Sequence, residues 1–175
     1  MLRRRFLFLG SAGIAGLLMP AKGWAAGPAA RALAFHNVHT GESVRATYWA
    51  GGRYIREGLS QIDWLLRDHR TDLVHPIDRR LLSVLDELHD SLDTAEPFEV
   101  ISGYRSPATN ARLVATSTGV ATASLHVVGM AIDFRVPGRA LRAVRDAAKA
   151  LRAGGVGYYP ESDFVHVDVG RVRYW

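Results

Sequence analysis

The 175-residue chain contains no cysteine. That absence excludes a disulfide, a thiolate metal site, a cysteine nucleophile and lipid attachment at an N-terminal cysteine. The chain also lacks an apolar run long enough to span a bilayer. Its longest candidate, Phe6 to Met19, is 14 residues, against the roughly 20 that a membrane helix needs. It lacks a true excess of positive charge as well. The formal net charge is +5, but Arg3, Arg4, Arg5 and Lys22 all lie in the first 25 residues. Beyond residue 25 the charges are close to balanced, so the electrostatic footprint of a nucleic-acid-binding protein is missing.

Residues 1–25 read instead as an export signal. Arg3-Arg4-Arg5-Phe6-Leu7 is a twin-arginine pattern, the apolar run comes next, and Gly23-Trp24-Ala25 supplies small residues at cleavage spacing. Cleavage after Ala25 would leave 26–175 as one exported domain with no stable membrane anchor. Hydrophobic residues make up 48% of the chain, enough for a core in a domain of this size. Nothing in the sequence signals an oligomeric state.

The chemistry concentrates in two stretches, Ser124-Leu125-His126-Val127-Val128-Gly129-Met130-Ala131-Ile132-Asp133 and Phe164-Val165-His166-Val167-Asp168. Asp133 is the one carboxylate in an apolar, β-prone run from Met130 to Val136. A carboxylate there is costly to bury unless it is paired or bound to metal. His126 converges on it if the chain folds back at Gly129, where glycine permits backbone angles other residues resist. His166 lies in an alternating run that reads as a neighbouring strand. Two imidazoles and a carboxylate suit Zn²⁺, with ligand distances of roughly 2.0–2.2 Å, and three protein ligands leave a fourth position open, the catalytic pattern.

A second element is the loop Gly103-Tyr104-Arg105-Ser106-Pro107, entered from a short strand, Pro97 to Ser102. A guanidinium fixed between glycine and proline can bind an oxyanion or a substrate carboxylate through two parallel N–H groups. The Thr/Ser/Gly/Ala-rich stretch Ser117 to Ser124 reads as a loop shaping the entrance.

Taken together and in this order, SGYRSPATN, SLHVVGMAIDF and GGVGYYPESDFVHVDVGRVRYW resemble the zinc D-Ala-D-Ala peptidase and murein endopeptidase superfamily, peptidase family M15, in its periplasmic branch. The resemblance covers nearly all of the chain after the leader. It implies an α+β fold, shared with the signalling domain of hedgehog proteins, in which a small antiparallel sheet bears the zinc site and helices pack on one side. It implies His126, Asp133 and His166 as metal ligands for Zn²⁺, Arg105 as the charge-stabilising group, and peptidoglycan as the polymer acted on. It also implies a carboxylate base three residues before the strand histidine, which is Asp163. Strand periodicity alone favours Asp168, which shares the face of His166. The expectation is Asp163 as base and Asp168 as a partner orienting a ligand. The family often carries a second histidine where this chain has Phe164, a departure that leaves more of the work to Arg105.

The function implied is a zinc-dependent murein endopeptidase in the periplasm. The rivals are a D-amino-acid carboxypeptidase and a non-catalytic, zinc-stabilised binding module.

The rest of the chain supplies the scaffold. Leu33 to Trp49 reads as two strands joined at His39–Glu42. Helices are expected over Tyr54–Asp68, Ile77–Leu92, Ala108–Thr116 and Arg139–Arg152, each from apolar residues at helical spacing or from a polar–apolar division. Asn110 and Arg112 fall on the polar side of the third. Arg142, Arg145 and Arg152 form the outer face of the fourth, a solvated face by default. Strands are expected at Val156–Tyr159 and Asp163–Val169. His36, His39, His69, His75 and His89 read as surface or core residues without metal.

Overall fold

The computed structural model describes residues 30–117 and 121–175, so the expected export signal over 1–25 lies outside the described residues. Strands β1 (Arg31–Asn37), β2 (Ser43–Ala50) and β3 (Arg53–Tyr54) come first, then helices α1 (Arg56–Leu65) and α2 (Arg79–Ser91). Strand β4 (Phe98–Ser102), helix α3 (Pro107–Thr116), a 3₁₀ turn (Leu125–Val128) and strand β5 (Ala131–Arg135) come next. Helix α4 (Leu141–Leu151), then β6 (Gly155–Tyr159), β7 (Phe164–Asp168) and β8 (Arg173–Tyr174), complete the fold.

The class is α+β as expected, but the sheet is neither small nor purely antiparallel. It has eight strands in the order β3-β2-β1-β4-β5-β7-β6-β8. Two of its pairings are parallel, β1 with β4 and β6 with β8. The reason is the connection. The β1–β2 hairpin leads into α1 and α2, and this helical crossover returns the chain beside β1 in the same direction, as parallel pairing requires. At the other end, the chain leaving β7 passes β6 to place β8 on the far edge of the sheet.

The helix ends obey local chemistry. Asp78 caps α2 by accepting from the Arg80 amide at 2.8 Å. Ser106 caps α3 by accepting from Thr109 at 3.2 Å, with Pro107 at the first helical position, where its missing N–H costs nothing. Helix α1 starts later than its apolar stripe suggests, because Tyr54 is taken into β3 opposite Trp49.

Strand alternation divides the sheet into two faces. Ile132, Phe134, Val165 and Val167 belong to one continuous core with Val144 and Ala148 of α4 and the buried leucines of α2. Phe35, Phe98 and Phe134 run across β1, β4 and β5, with ring centroids 5.8 and 4.9 Å apart. Burying each such side chain contributes about 1.5–3 kcal/mol. Asp133, His166 and Asp168 alternate with these residues and therefore point to the opposite face. The hydrophobic pattern that holds the sheet against its helices thus also fixes where the polar residues emerge.

Candidate metal centre and active site

The register of β5 against β7 sets Asp133 directly across from His166. His126 arrives from the 3₁₀ turn. Gly129 ends that turn with φ +67, in the left-handed region, and the chain reverses there into β5. A Cβ at Gly129 would collide with the Pro76 carbonyl, so only glycine fits this reversal.

The three side chains meet. His126 Nε2 is 3.2 Å from Asp133 Oδ1 and 3.2 Å from His166 Nδ1, and His166 Nδ1 is 2.8 Å from Asp133 Oδ1. All three residues are buried or nearly so. They form the one group of this kind among the described residues. The remaining histidines stay outside it: His39 stacks on His69 at 4.0 Å and His75 on Tyr104 at 4.9 Å.

The outer nitrogens of the two rings decide what the inner ones are. His126 Nδ1 lies 2.7 Å from the Gly103 carbonyl oxygen and donates to it. His166 Nε2 lies 3.1 Å from Asp168 Oδ2 and donates to it. The inner nitrogens are then lone pairs, and they face each other and a carboxylate oxygen. With neutral rings such an arrangement is repulsive unless a cation stands among the three: without metal, a proton on His166 Nδ1 shared with Asp133, and with metal, the ion in that proton's place. Ligands about 2.0–2.1 Å from a tetrahedral Zn²⁺ lie about 3.3–3.4 Å apart, close to the spacing found. The donor set therefore fits a divalent metal, with each imidazole oriented from behind as ligating histidines are.

Electrostatics agrees. Burial disfavours a charged His166, yet Asp133 and Asp168 on its two sides push it up to about 9. Burial would raise Asp133, but His126 and His166 hold it well below the usual carboxylate range. A site that stabilises positive charge this strongly suits a metal ion.

Asp168 is fully buried. Arg173 Nη2 donates to its Oδ2 at 2.7 Å, and the Gly155 and Gly170 amides donate to its Oδ1 at 3.1 and 2.8 Å. Both oxygens are committed, which leaves no lone pair free for a travelling proton.

Arg105 stands beside the triad with Nη2 3.6 Å from Asp133 Oδ2. Asn110 Oδ1 accepts from its Nη1 at 3.3 Å and Ser102 Oγ from its Nη2 at 3.4 Å, while its buried Nε has no partner. Asn110 does not lie on a solvent-facing side of α3, as the polar pattern of that helix suggests. It is buried, and its amide donates to the Ala121 and Thr122 carbonyls at 3.3 and 3.2 Å. It links the arginine to the loop at the cavity mouth, a role that helical periodicity does not reveal.

Asp163 makes no contact with the triad. It is exposed, has φ +52, and its Oδ2 is 3.2 Å from Arg135 Nη1. It sits between Ser162 and Phe164, which both line a cavity of about 480 Å³ that also contains Arg105, His126, Asp133 and His166. Tyr159, Arg173 and Trp175 line the same cavity. None of these three stands out in the sequence, because single aromatic and basic residues near β-strands carry no distinguishing spacing.

Asp68 anchors the arginine loop from below. Its Oδ2 accepts from the Ser106 amide at 3.0 Å and its Oδ1 from the Arg70 amide at 3.1 Å. Burial would raise its pKa, but hydrogen bonding from Ser106 and from the Arg70 amide outweighs that and holds it at about 2. A depressed carboxylate stabilises the fold above its unfolded value and loses that contribution as pH falls through its folded value. The stability advantage of the wild type over Asp68→Asn is thus expected at neutral pH and should fade between about pH 4 and pH 2. Urea midpoints for both proteins across that range check it, and a pH-independent difference would contradict it.

Comparison with known proteins adds the family. The model described as peptidoglycan L,D-endopeptidase MepK matches residues 25–175. The chain belongs to this family. The MepK-family match spans the arginine loop, the His126–Asp133 segment and the β6–β7 hairpin, the three stretches that carry the resemblance. Among curated relatives, peptidoglycan L,D-endopeptidase MepK of Escherichia coli (strain K12) is 43% identical over 175 residues, 99% of this chain and 96% of its own length. The probable peptidoglycan L,D-endopeptidase MepK of Haemophilus influenzae is 40% identical over 176 residues, 99% of this chain and 95% of its own length. No solved structure matches significantly.

Proposed function

We propose that this chain is a zinc-dependent peptidoglycan endopeptidase of the cell envelope that cleaves an L,D bond in or next to a peptide cross-link. The observation that carries the reading is the convergence of His126 Nε2, Asp133 Oδ1 and His166 Nδ1 on one point beside the buried Arg105, in a chain of the MepK family. The relatives' names supply the polymer and the L,D bond. The twin-arginine leader over 1–25 supplies the route, export of one folded domain, 26–175, to the periplasm. No helix of the described residues is long and apolar enough to cross a membrane.

A divalent ion held by the triad would supply Lewis acidity toward the scissile carbonyl and toward water. The chain's own groups do the rest. His126 and His166 are fixed in the ligating tautomer by Gly103 and Asp168. Arg105 meets the negative charge that develops on the carbonyl oxygen, using an unpartnered Nε and a guanidinium kept in place by Asn110 and Ser102. A base must take a proton from water and return it to the leaving amine. Both oxygens of Asp168 are already committed, so the role falls to Asp163 at the cavity rim, released from Arg135 by rotation of an exposed side chain. Its left-handed backbone breaks the strand alternation that would otherwise turn it to the helix-covered face.

Asp163→Asn is expected to lower turnover by about 10²–10⁴-fold with metal content unchanged. Asp168→Asn is expected to weaken metal affinity by about 10–100-fold. Full turnover in Asp163→Asn would move the base elsewhere. The function itself is tested by digesting purified peptidoglycan with residues 26–175, with and without chelator, and identifying products by mass spectrometry. Chelator-sensitive loss of cross-linked dimers is expected. Release of single D-amino acids would make the protein a carboxypeptidase, and intact sacculi with metal retained would make it a binding module.

A further inference from the structure

The far edge of the site face is closed by an aromatic side chain that the proposed mechanism does not use. Trp175 comes directly after β8 and continues its pairing with β6. Its amide donates to the Val156 carbonyl at 3.2 Å and its carbonyl accepts from the Tyr158 amide at 3.0 Å. The indole has contacts of its own. Its Nε1 donates to the Tyr159 hydroxyl at 2.7 Å, and the Arg173 guanidinium lies over its ring at 4.9 Å. Beneath it is Gly157, where a Cβ would approach the indole to 2.7 Å. The sheet therefore carries a seat shaped for this ring, which a loosely attached surface residue would not need.

Trp175 is nevertheless 50% exposed. Its open side borders the cavity, and its centroid is 5.3 Å from that of His166. Tyr159 and Phe164, stacked at 4.5 Å, extend the wall. In the strand order, β6 and β8 lie on one side of β5 and β7, and the β4 end that carries Arg105 lies on the other. The triad thus stands between a cationic wall and an aromatic one.

We infer that Trp175, locked by Tyr159, is a specificity-determining residue that packs against the aliphatic part of the peptide next to the scissile bond, while Arg105 takes the polar side. A rigid aromatic plane holds methyl and methylene groups at small entropic cost. The short aliphatic side chains of a stem peptide fit such a wall, whereas an anionic polymer would call for an unengaged cation, and the Arg173 guanidinium over the ring is already paired with Asp168 at 2.7 Å. The inference rests on the peptidoglycan-peptidase reading.

The test uses metal-loaded wild type, Trp175→Phe, Trp175→Ala and Tyr159→Phe. Calorimetric titration with soluble uncross-linked muropeptides reads binding without turnover. Cross-linked muropeptide dimers read KM and kcat, and elemental analysis reads bound metal. Trp175→Ala is expected to weaken muropeptide binding and raise KM by about tenfold, with kcat within about threefold and metal at the wild-type level. Trp175→Phe should keep most of the affinity, because it keeps an aromatic face. Tyr159→Phe should fall between, because the ring stays but its lock is lost. Unchanged binding in Trp175→Ala overturns the inference. So does a loss confined to kcat and metal content, which would mark the indole as a support for His166 alone. Wild type that binds muropeptides but cleaves nothing overturns the peptidase reading and leaves the wall standing. Wild type that neither binds nor cleaves overturns both.

Discussion

Replacing His166 with alanine will abolish metal binding and lower kcat/KM by at least about 10³-fold, roughly 4 kcal/mol of transition-state stabilisation, while the protein stays folded. The first half rests on geometry. With one of three lone pairs removed, the remaining two ligands cannot hold a divalent ion against water and chelators. The second half rests on the surroundings of the lost ring. Asp168 would still be neutralised by Arg173 at 2.7 Å and by the Gly155 and Gly170 amides, and so would not become an unpaired buried charge. Asp133 would keep His126 at 3.2 Å and Arg105 at 3.6 Å. His126→Ala should lose the metal equally but disturb the fold more, because it strands the Gly103 carbonyl that accepts from its Nδ1 at 2.7 Å. Elemental analysis, far-UV circular dichroism and digestion of purified peptidoglycan measure the three quantities separately. Adding Zn²⁺ back to chelated wild type should restore activity, and adding it to His166→Ala should not. Stoichiometric metal in His166→Ala would remove this residue from the ligand set.

The triad is legible in the sequence because each member breaks a pattern. Asp133 is a lone carboxylate inside an apolar strand, His126 precedes a glycine that permits a reversal, and His166 lies on the polar phase of an alternating run. Local patterns of this kind survive into the structure because strand register preserves them: Asp133 and His166 face each other as paired residues. The sheet as a whole is less legible. Its parallel pairing of β1 with β4 joins segments separated by two helices, and nothing in either strand names its partner. The two-residue strands β3 and β8 are too short for any periodicity. Helix α3 misleads for a different reason. Most of it is exposed, so its polar side suggests a solvent-facing surface, but Asn110 is buried among the Arg105 guanidinium and two loop carbonyls. Buried polar residues that serve a neighbouring charge look, in sequence, like surface residues. Asp163 stands between these cases. The family resemblance, not strand periodicity, points it to the site, and its side chain lies at the rim, paired with Arg135.

Arg105→Ala is expected to lower kcat by about 10²–10³-fold with metal retained, the cost of removing one preorganised donor from a developing oxyanion. Retention of the metal is expected from distance, since the Arg105 guanidinium stands 3.6 Å from Asp133 Oδ2, whereas the oxygen that faces both imidazoles is Oδ1. The residue's position argues that charge matters here. Burial lowers its pKa against the pull of Asp133, and a buried guanidinium with Nε unpartnered is costly unless it gains an acceptor during the reaction. Arg105→Lys should recover only part of the loss, because an ammonium keeps the charge but not the planar fork that Asn110 and Ser102 hold. Asn110→Ala should give a smaller loss in the same direction by freeing the guanidinium to swing. The split between constants separates two roles for this arginine. A donor to the transition state lowers kcat and leaves KM nearly unchanged, whereas a clamp on a ground-state substrate carboxylate raises KM and leaves kcat intact. A rise in KM alone for Arg105→Ala would assign the guanidinium to substrate binding, and the charge developing at the scissile carbonyl would then fall to the metal.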